Sequence, residues 1–170
     1  MEVLVRPRGI LEINGARICY RNFTGRPGKF NREGDRSFSL IIAGGSFDDG
    51  THVHELSAQE MADALLDLGW NVKISAPREE GDEPFMHLPV KIKCNERGPV
   101  MYLRSGKNQV KLDEESMEIL DEVYIQEVEL DIRPFDWEVR GNTGRAAYLQ
   151  SIRVTQDIRD RFAEEEYPME

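Results

Sequence analysis

Two stretches of this sequence set aromatic rings and cations side by side. Residues 17 to 36, RICYRNFTGRPGKFNREGDR, carry Tyr20, Phe23 and Phe30 among six bases and only two carboxylates. Residues 133 to 148, RPFDWEVRGNTGRAAY, place Phe135 and Trp137 two apart between Arg133 and Arg140, with Arg145 and Tyr148 following. Guanidinium and ammonium groups hold phosphate oxygens through charge-assisted hydrogen bonds. Every nucleobase has a π-face, so stacking on an aromatic ring needs no sequence readout. The predicted chemistry is therefore phosphate contact by Arg21, Arg26, Lys29, Arg32 and Arg36. Base stacking falls to Tyr20, Phe23, Phe30, Phe135 and Trp137, with Arg133, Arg140 and Arg145 lining the groove. A plainer reading stands beside it: Tyr20 and Phe23 fill a core, and Phe135 and Trp137 share a strand face that points inward. A third mixed patch, Lys91, Lys93, Tyr102, Arg104, Lys107 and Lys111, carries less of the pattern.

Catalytic signatures are missing. The chain holds no GxxxxGKS/T phosphate loop, no GxGxxG, no GxSxG and no HExxH. His52 and His54 alternate as strand ligands of zinc would, but a zinc site needs further ligands, and His87 and Cys94 lie elsewhere in the sequence. Nine carboxylates between residues 113 and 131 include the run D-E-E-x-x-E-x-x-D-E. That spacing predicts the wet face of an amphipathic helix, with Met117, Leu120 and Val123 inward, rather than a two-metal nuclease. The expectation is a non-enzymatic protein with no cofactor and no metal.

The charge balance, 32 acidic against 22 basic residues, argues on its face against a polyanionic partner. Binding follows local potential rather than the total, and here the charge is segregated. The final EEEYPME adds four carboxylates as an acidic tail, taken here as 156–170. Two cysteines without CxxC spacing predict buried thiols. No apolar run is long enough to cross a bilayer, so the expectation is a cytoplasmic protein with no membrane partner.

The elements that must position these residues are mostly strands. ILEINGARICY holds two alternating runs around Asn14-Gly15, which predicts a type I′ hairpin. A Gly- and Arg-rich loop, the strand SFSLIIA and a second loop follow. Ser57 opens a helix, SAQEMADALLDLG, with Glu60 at the capping-box position and Gly69 as its stop. Further strands are predicted at WNVKIS, LPVKIKC and VMYLRS, then a short acidic helix capped by Asp113. A final hairpin, YIQEVELDIRPF with its return strand, turns through Gly141 to Gly144. This order is mainly β with two helices. It fits an OB-fold-like Greek-key barrel over 1–155, in which 70–112 is an insertion of extra strands.

The segments NGARICYRNFTGRPGKFNREGDRSFSLII, GWNVKI, LPVKIK and DIRPFDWEVRGNTGRAAYLQSIRVTQ resemble phage and prophage single-stranded DNA-binding proteins over nearly the whole chain. That resemblance implies an OB-fold and sequence-tolerant binding of single-stranded DNA in phage replication or recombination. It also implies an acidic tail that covers the groove when DNA is absent and docks on replication or recombination proteins. The tail departs from the pattern by ending Tyr-Pro-Met-Glu, with no final Phe. The alternative is an accessory protein that binds a basic partner through its acidic helix and tail. Self-association is compatible with either reading.

Overall fold

The computed structural model describes residues 1–29, 31–77 and 79–157. The architecture is mainly β and OB-like, with twelve strands joined in one branched sheet among the described residues. In chain order they are β1 (Glu2–Val5), β2 (Leu11–Asn14), β3 (Ile18–Asn22), β4 (Arg36–Ile41), β5 (Gly45–Asp48) and β6 (Val53–Leu56). After helix α1 (Ala58–Asp67) come β7 (Lys73–Ser75), β8 (Phe85–Ile92), β9 (Val100–Ser105), β10 (Asn108–Leu112), β11 (Ile125–Val139) and β12 (Asn142–Gln156). The main path runs β3-β4-β8-β12-β11-β2-β1-β5-β6, with β9 and β10 branching from β12 and β7 from β8.

Period-two alternation builds the core. On β8 the residues Met86, Leu88, Val90 and Ile92 are buried, while Phe85, His87, Pro89 and Lys91 take the other face. β4 contributes Phe38 and Leu40 to the same core, and β11 and β12 add Val128, Leu130, Ile132, Leu149, Ile152 and Val154. The helix forms as its signals predict. The Ser57 hydroxyl accepts from the Glu60 N–H at 3.2 Å, and the Glu60 carboxylate accepts from the Ser57 N–H at 3.0 Å. Met61, Ala62 and Leu65 are buried, and Gly69 leaves the helix at φ +95°.

Two expectations are corrected. Asn14-Gly15 is a turn but not a hairpin: β2 pairs with β1 and β11, whereas β3 pairs with β4. The twist that makes such a turn hairpin-compatible is outweighed by burial of both strands in different parts of the sheet. The acidic segment forms only a short 3-10 turn, Met117–Asp121, although Met117, Leu120 and Val123 do point inward. Asp113 closes the turn that leads into it, accepting from the Ser116 and Glu115 N–H groups at 2.8 and 3.0 Å, while the N-cap is Ser116, with no side-chain capping bond. Within 70–112, β8 lies in the middle of the main sheet, between β4 and β12.

Candidate nucleic-acid interface

The open face of β8 gathers rings from three positions. Phe85 and His87 lie stacked, 5.1 Å between centroids and 28° between planes. Tyr20 meets both edge-on, at 6.1 Å from Phe85 and 5.6 Å from His87. It gets there through a left-handed backbone, φ +51°, at an irregularity in the β3–β4 register. A non-glycine residue in that region costs of order 1–3 kcal/mol and persists only when its surroundings hold it. Tyr20 is nonetheless 68% exposed. His87 Nδ1 lies 2.9 Å from the Ser39 hydroxyl, and burial, reinforced by the charge of Lys73, pushes its pKa below the ordinary histidine value.

A second cluster follows along the same face. Ser37, Lys91, Tyr148 and Arg133 are register partners across β4, β8, β12 and β11, forming one row over four strands. The Arg133 guanidinium sits 5.0 Å over the Tyr148 ring, and Phe135 meets Tyr148 edge-on at 5.8 Å. Phe135 is 51% exposed and Trp137, next on that face, 41%. Trp137 lies across Gly144 of β12, where a Cβ would come within 2.3 Å of Trp137 Cζ2. A bare backbone at 144 is thus what gives the indole room. The hairpin turns tightly at Arg140 and Gly141, φ +52° and +81°, with Gly144 already in the strand rather than in the turn.

The predicted cations divide into two groups. Arg26, Lys29 and Arg32 are exposed on the loop between β3 and β4. Asn22 Oδ1 shapes that loop by accepting from the Gly25 and Arg26 N–H groups, and Asn31 Nδ2 donates to the carbonyls of Arg26, Arg32 and Asp35. Arg140 is exposed at the hairpin tip. Phe30 and the tail segment 158–170 lie outside the described residues.

The others hold the fold together. Arg21 Nη1 donates to the Leu120 and Val123 carbonyls at 2.9 and 2.8 Å, bracing the 3-10 turn. Arg36 pairs with Glu114 at 3.4 Å and reaches Cys94 Sγ. Arg145 forms a two-pronged pair with Asp136 at 2.7 and 3.2 Å, donates to the Leu68 carbonyl and lies 5.5 Å over the Trp70 ring. That bond holds the Asp136 carboxyl below the usual carboxylate range. Phe23 is fully buried and stacked on Phe38 at 5.4 Å, so it offers no face to a base. In strand-spaced rings, the side that faces the core is decided by partner strands distant in sequence.

Phe85 and His87, which the sequence did not single out, complete the face, with Lys91 and Lys93 of the third patch and Tyr148 from the end of the second stretch. The signal was present in the alternation of FMHLPVKI, whose polar and aromatic positions all fall on one side. Lys91, Lys93 and Tyr148 line a cavity of about 690 Å³ together with Arg36. The acidic segment does engage two arginines of the basic stretch 17–36, Arg36 of β4 through Glu114 and Arg26 of the loop through Asp121 at 3.7 Å. Phe135 and Trp137 nevertheless face outward, as the groove reading requires. The His54 ring bonds Asp49 at 3.1 Å, and among the described residues no group of His, Cys, Asp or Glu is placed to hold a metal. No helix among them is long and apolar enough to cross a membrane.

An OB-like sheet whose open face carries two ring clusters, with cations between and beside them, is the build of a nucleic-acid-binding module. Residues 2–168 match the family described as "Putative phage ssDNA-binding domain", and the chain belongs to that family. Its members are binding proteins rather than enzymes. The fold is similar to that of the single-stranded DNA-binding protein from bacteriophage Enc34 in complex with ssDNA. The two are 16% identical with a TM-score of 0.53, over 91% of this chain and 90% of that one. A second structure of the Enc34 protein gives 14% identity and a TM-score of 0.53, over 91% of this chain and 85% of that one. No curated protein matches the chain.

Proposed function

We propose that this protein binds single-stranded DNA along the open face of β3, β4, β8, β12 and β11, in a sequence-tolerant manner. The observation that carries this reading is the display of Tyr20, Phe85 and His87 at one end of that face and Tyr148, Phe135 and Trp137 at the other. Bases stack on these rings, and Lys91, Arg133 and the loop cations Arg26, Lys29 and Arg32 hold the phosphates. The setting is phage replication or recombination in the cytoplasm of a bacterial host. The Enc34 comparison supports the reading, because that protein is in complex with ssDNA. The acidic residues 163–170 compete with DNA for the cationic face and meet replication or recombination proteins when displaced. Self-association belongs to the same proposal as an arrangement of copies along a strand.

The test is fluorescence anisotropy of a labelled oligo-dT over a salt series. Each phosphate contact contributes a slope of about −0.7 in log affinity against log salt for a single strand. Tight binding that weakens steeply with salt is expected; salt-independent affinity would overturn the cationic groove. Deleting residues 163–170 should tighten binding at low salt, and equal affinity would remove the competing tail.

A further inference from the structure

Beyond Tyr148 the face runs into a second cavity, of about 710 Å³, whose wall includes Arg8, Lys93, Arg97 and Arg133. Lys93 also lines the cavity beside Tyr148, so the two spaces adjoin at that side chain. The four cations come from three separate places: the turn between β1 and β2, the β8–β9 connection and β11. None of them forms an ion pair with a carboxylate among the described residues. No carboxylate lines the cavity.

The backbone is arranged to present them. Arg8 sits at φ +67°, a left-handed position unusual for a non-glycine residue. The turn is closed by the Arg6 N–H donating to the Ile10 carbonyl at 2.8 Å. Asn95 sets the Arg97 main chain by accepting its N–H on Oδ1 at 2.8 Å, while Asn95 and Gly98 exchange backbone bonds at 2.9 and 3.1 Å. Immediately past Ser151 the purely cationic lining gives way to a mixed one. An adjoining cavity of about 320 Å³ is lined by Glu12, Glu129 and Asp131 together with Arg153; Arg6 pairs with Glu12 and Arg153 with Glu129. Asp131 and Glu12 are direct register partners, and Asp131 accepts from the Ser151 hydroxyl at 2.9 Å.

We infer that the Arg8–Lys93–Arg97–Arg133 pocket is an anion site for adjacent phosphate groups, and that it anchors one end of the bound strand. This rests on the reading of the open face as a DNA platform, and it adds an anchor made of residues outside the basic loop. Four cations with no carboxylate partner among the described residues are more than one phosphodiester would neutralise. Two or three linked phosphates match the space and the charge. The same chemistry has two sources: neighbouring phosphodiesters of the strand, or a free polyphosphate.

The experiment compares the full chain with an Arg8→Ala/Lys93→Ala/Arg97→Ala variant. All three side chains are exposed, and unchanged thermal denaturation checks the fold. Inorganic tripolyphosphate is titrated by calorimetry, and oligo-dT affinity is measured over a salt series. The expected results are tripolyphosphate binding that the variant loses and a salt slope for oligo-dT shallower by about 2, three contacts at about 0.7 each. Loss of tripolyphosphate binding with an unchanged slope would assign the pocket to free polyphosphate and overturn the strand-end role. No tripolyphosphate binding and no change of slope would overturn the site. If the unaltered chain fails to bind oligo-dT at all, the platform reading falls, and the calorimetric arm still decides the pocket.

Discussion

The Tyr20 ring stands edge-on to His87 at 5.6 Å, held there from a backbone φ of +51°. An exposed ring on an unfavourable backbone is a local cost that the fold does not recover through burial. The pairing therefore predicts that binding and stability separate at this position. Tyr20→Gly removes both ring and strain, so thermal stability should hold or rise by about 1 kcal/mol. Affinity for oligo-dT should fall about tenfold or more, since stacking contributes roughly 1–3 kcal/mol per base. Unchanged affinity in the anisotropy assay would take Tyr20 out of the platform.

His87 makes the platform sensitive to pH. Burial, then Lys73, places its folded pKa below the unfolded value. Its contribution to stability is therefore complete above the unfolded histidine pKa, about 6.5, and is lost as pH falls through the folded value. Bound DNA acts in the opposite direction, because a protonated imidazole under a stacked base lies in the negative potential of the strand and is favoured by it. Oligo-dT affinity should rise as pH drops from 7.5 to 5.5 at fixed ionic strength, while the free protein melts at a lower temperature. In His87→Asn the contribution of this group to both trends should disappear. An affinity profile identical in the two proteins would show that this imidazole does not face the DNA.

The two groups of arginines predict opposite signatures. Arg21→Ala leaves the Leu120 and Val123 carbonyls short of a donor, at about 1–3 kcal/mol of stability measured by urea denaturation. Its effect on the salt slope should be nil. Arg32→Ala should leave the denaturation midpoint unchanged and lower the slope by about 0.7. If the two variants behave alike, the division between bracing and binding cations is wrong.

Much of this was legible in the sequence because it is local. Ser57, Glu60 and Gly69 mark a helix whose ends need nothing from the rest of the chain, and the alternation in YIQEVELDI places Val128, Leu130 and Ile132 inward. The Gly/Arg-rich loop was also accessible, as was the sharing of one strand face by Phe135 and Trp137, but not which way that face points. What was hidden depends on partners far away in the chain. Phe23 and Tyr20 are three residues apart in one stretch, yet one is core and the other surface. Phe38 closes over Phe23, while a left-handed φ carries Tyr20 to the opposite side. Arg145 looked like a groove cation until Asp136, Leu68 and Trp70 were brought to it. Asn14-Gly15 carried the chemistry of a hairpin, but the registry of β2 with β1 and β11 decided otherwise.

Gly144 offers the sharpest test of the hairpin arm, because its role is steric and its φ is not left-handed. An Ala Cβ there would meet Trp137 Cζ2 at 2.3 Å, so the indole must leave its place across β12. The ring is partly exposed and has room to swing, so Gly144→Ala should cost little stability, under about 1 kcal/mol for a displaced surface side chain. Trp70 is buried, which makes Trp137 the tryptophan that DNA can reach. Oligo-dT should quench the intrinsic fluorescence of the unaltered protein, and Trp137→Phe should abolish that quenching while Trp70→Phe preserves it. Gly144→Ala should reduce both the quenching and the affinity, if the flat placement of the indole is what a base stacks on. Full quenching and full affinity in Gly144→Ala would mean that the arm binds DNA with the indole in any position, and that Gly144 serves only the hairpin.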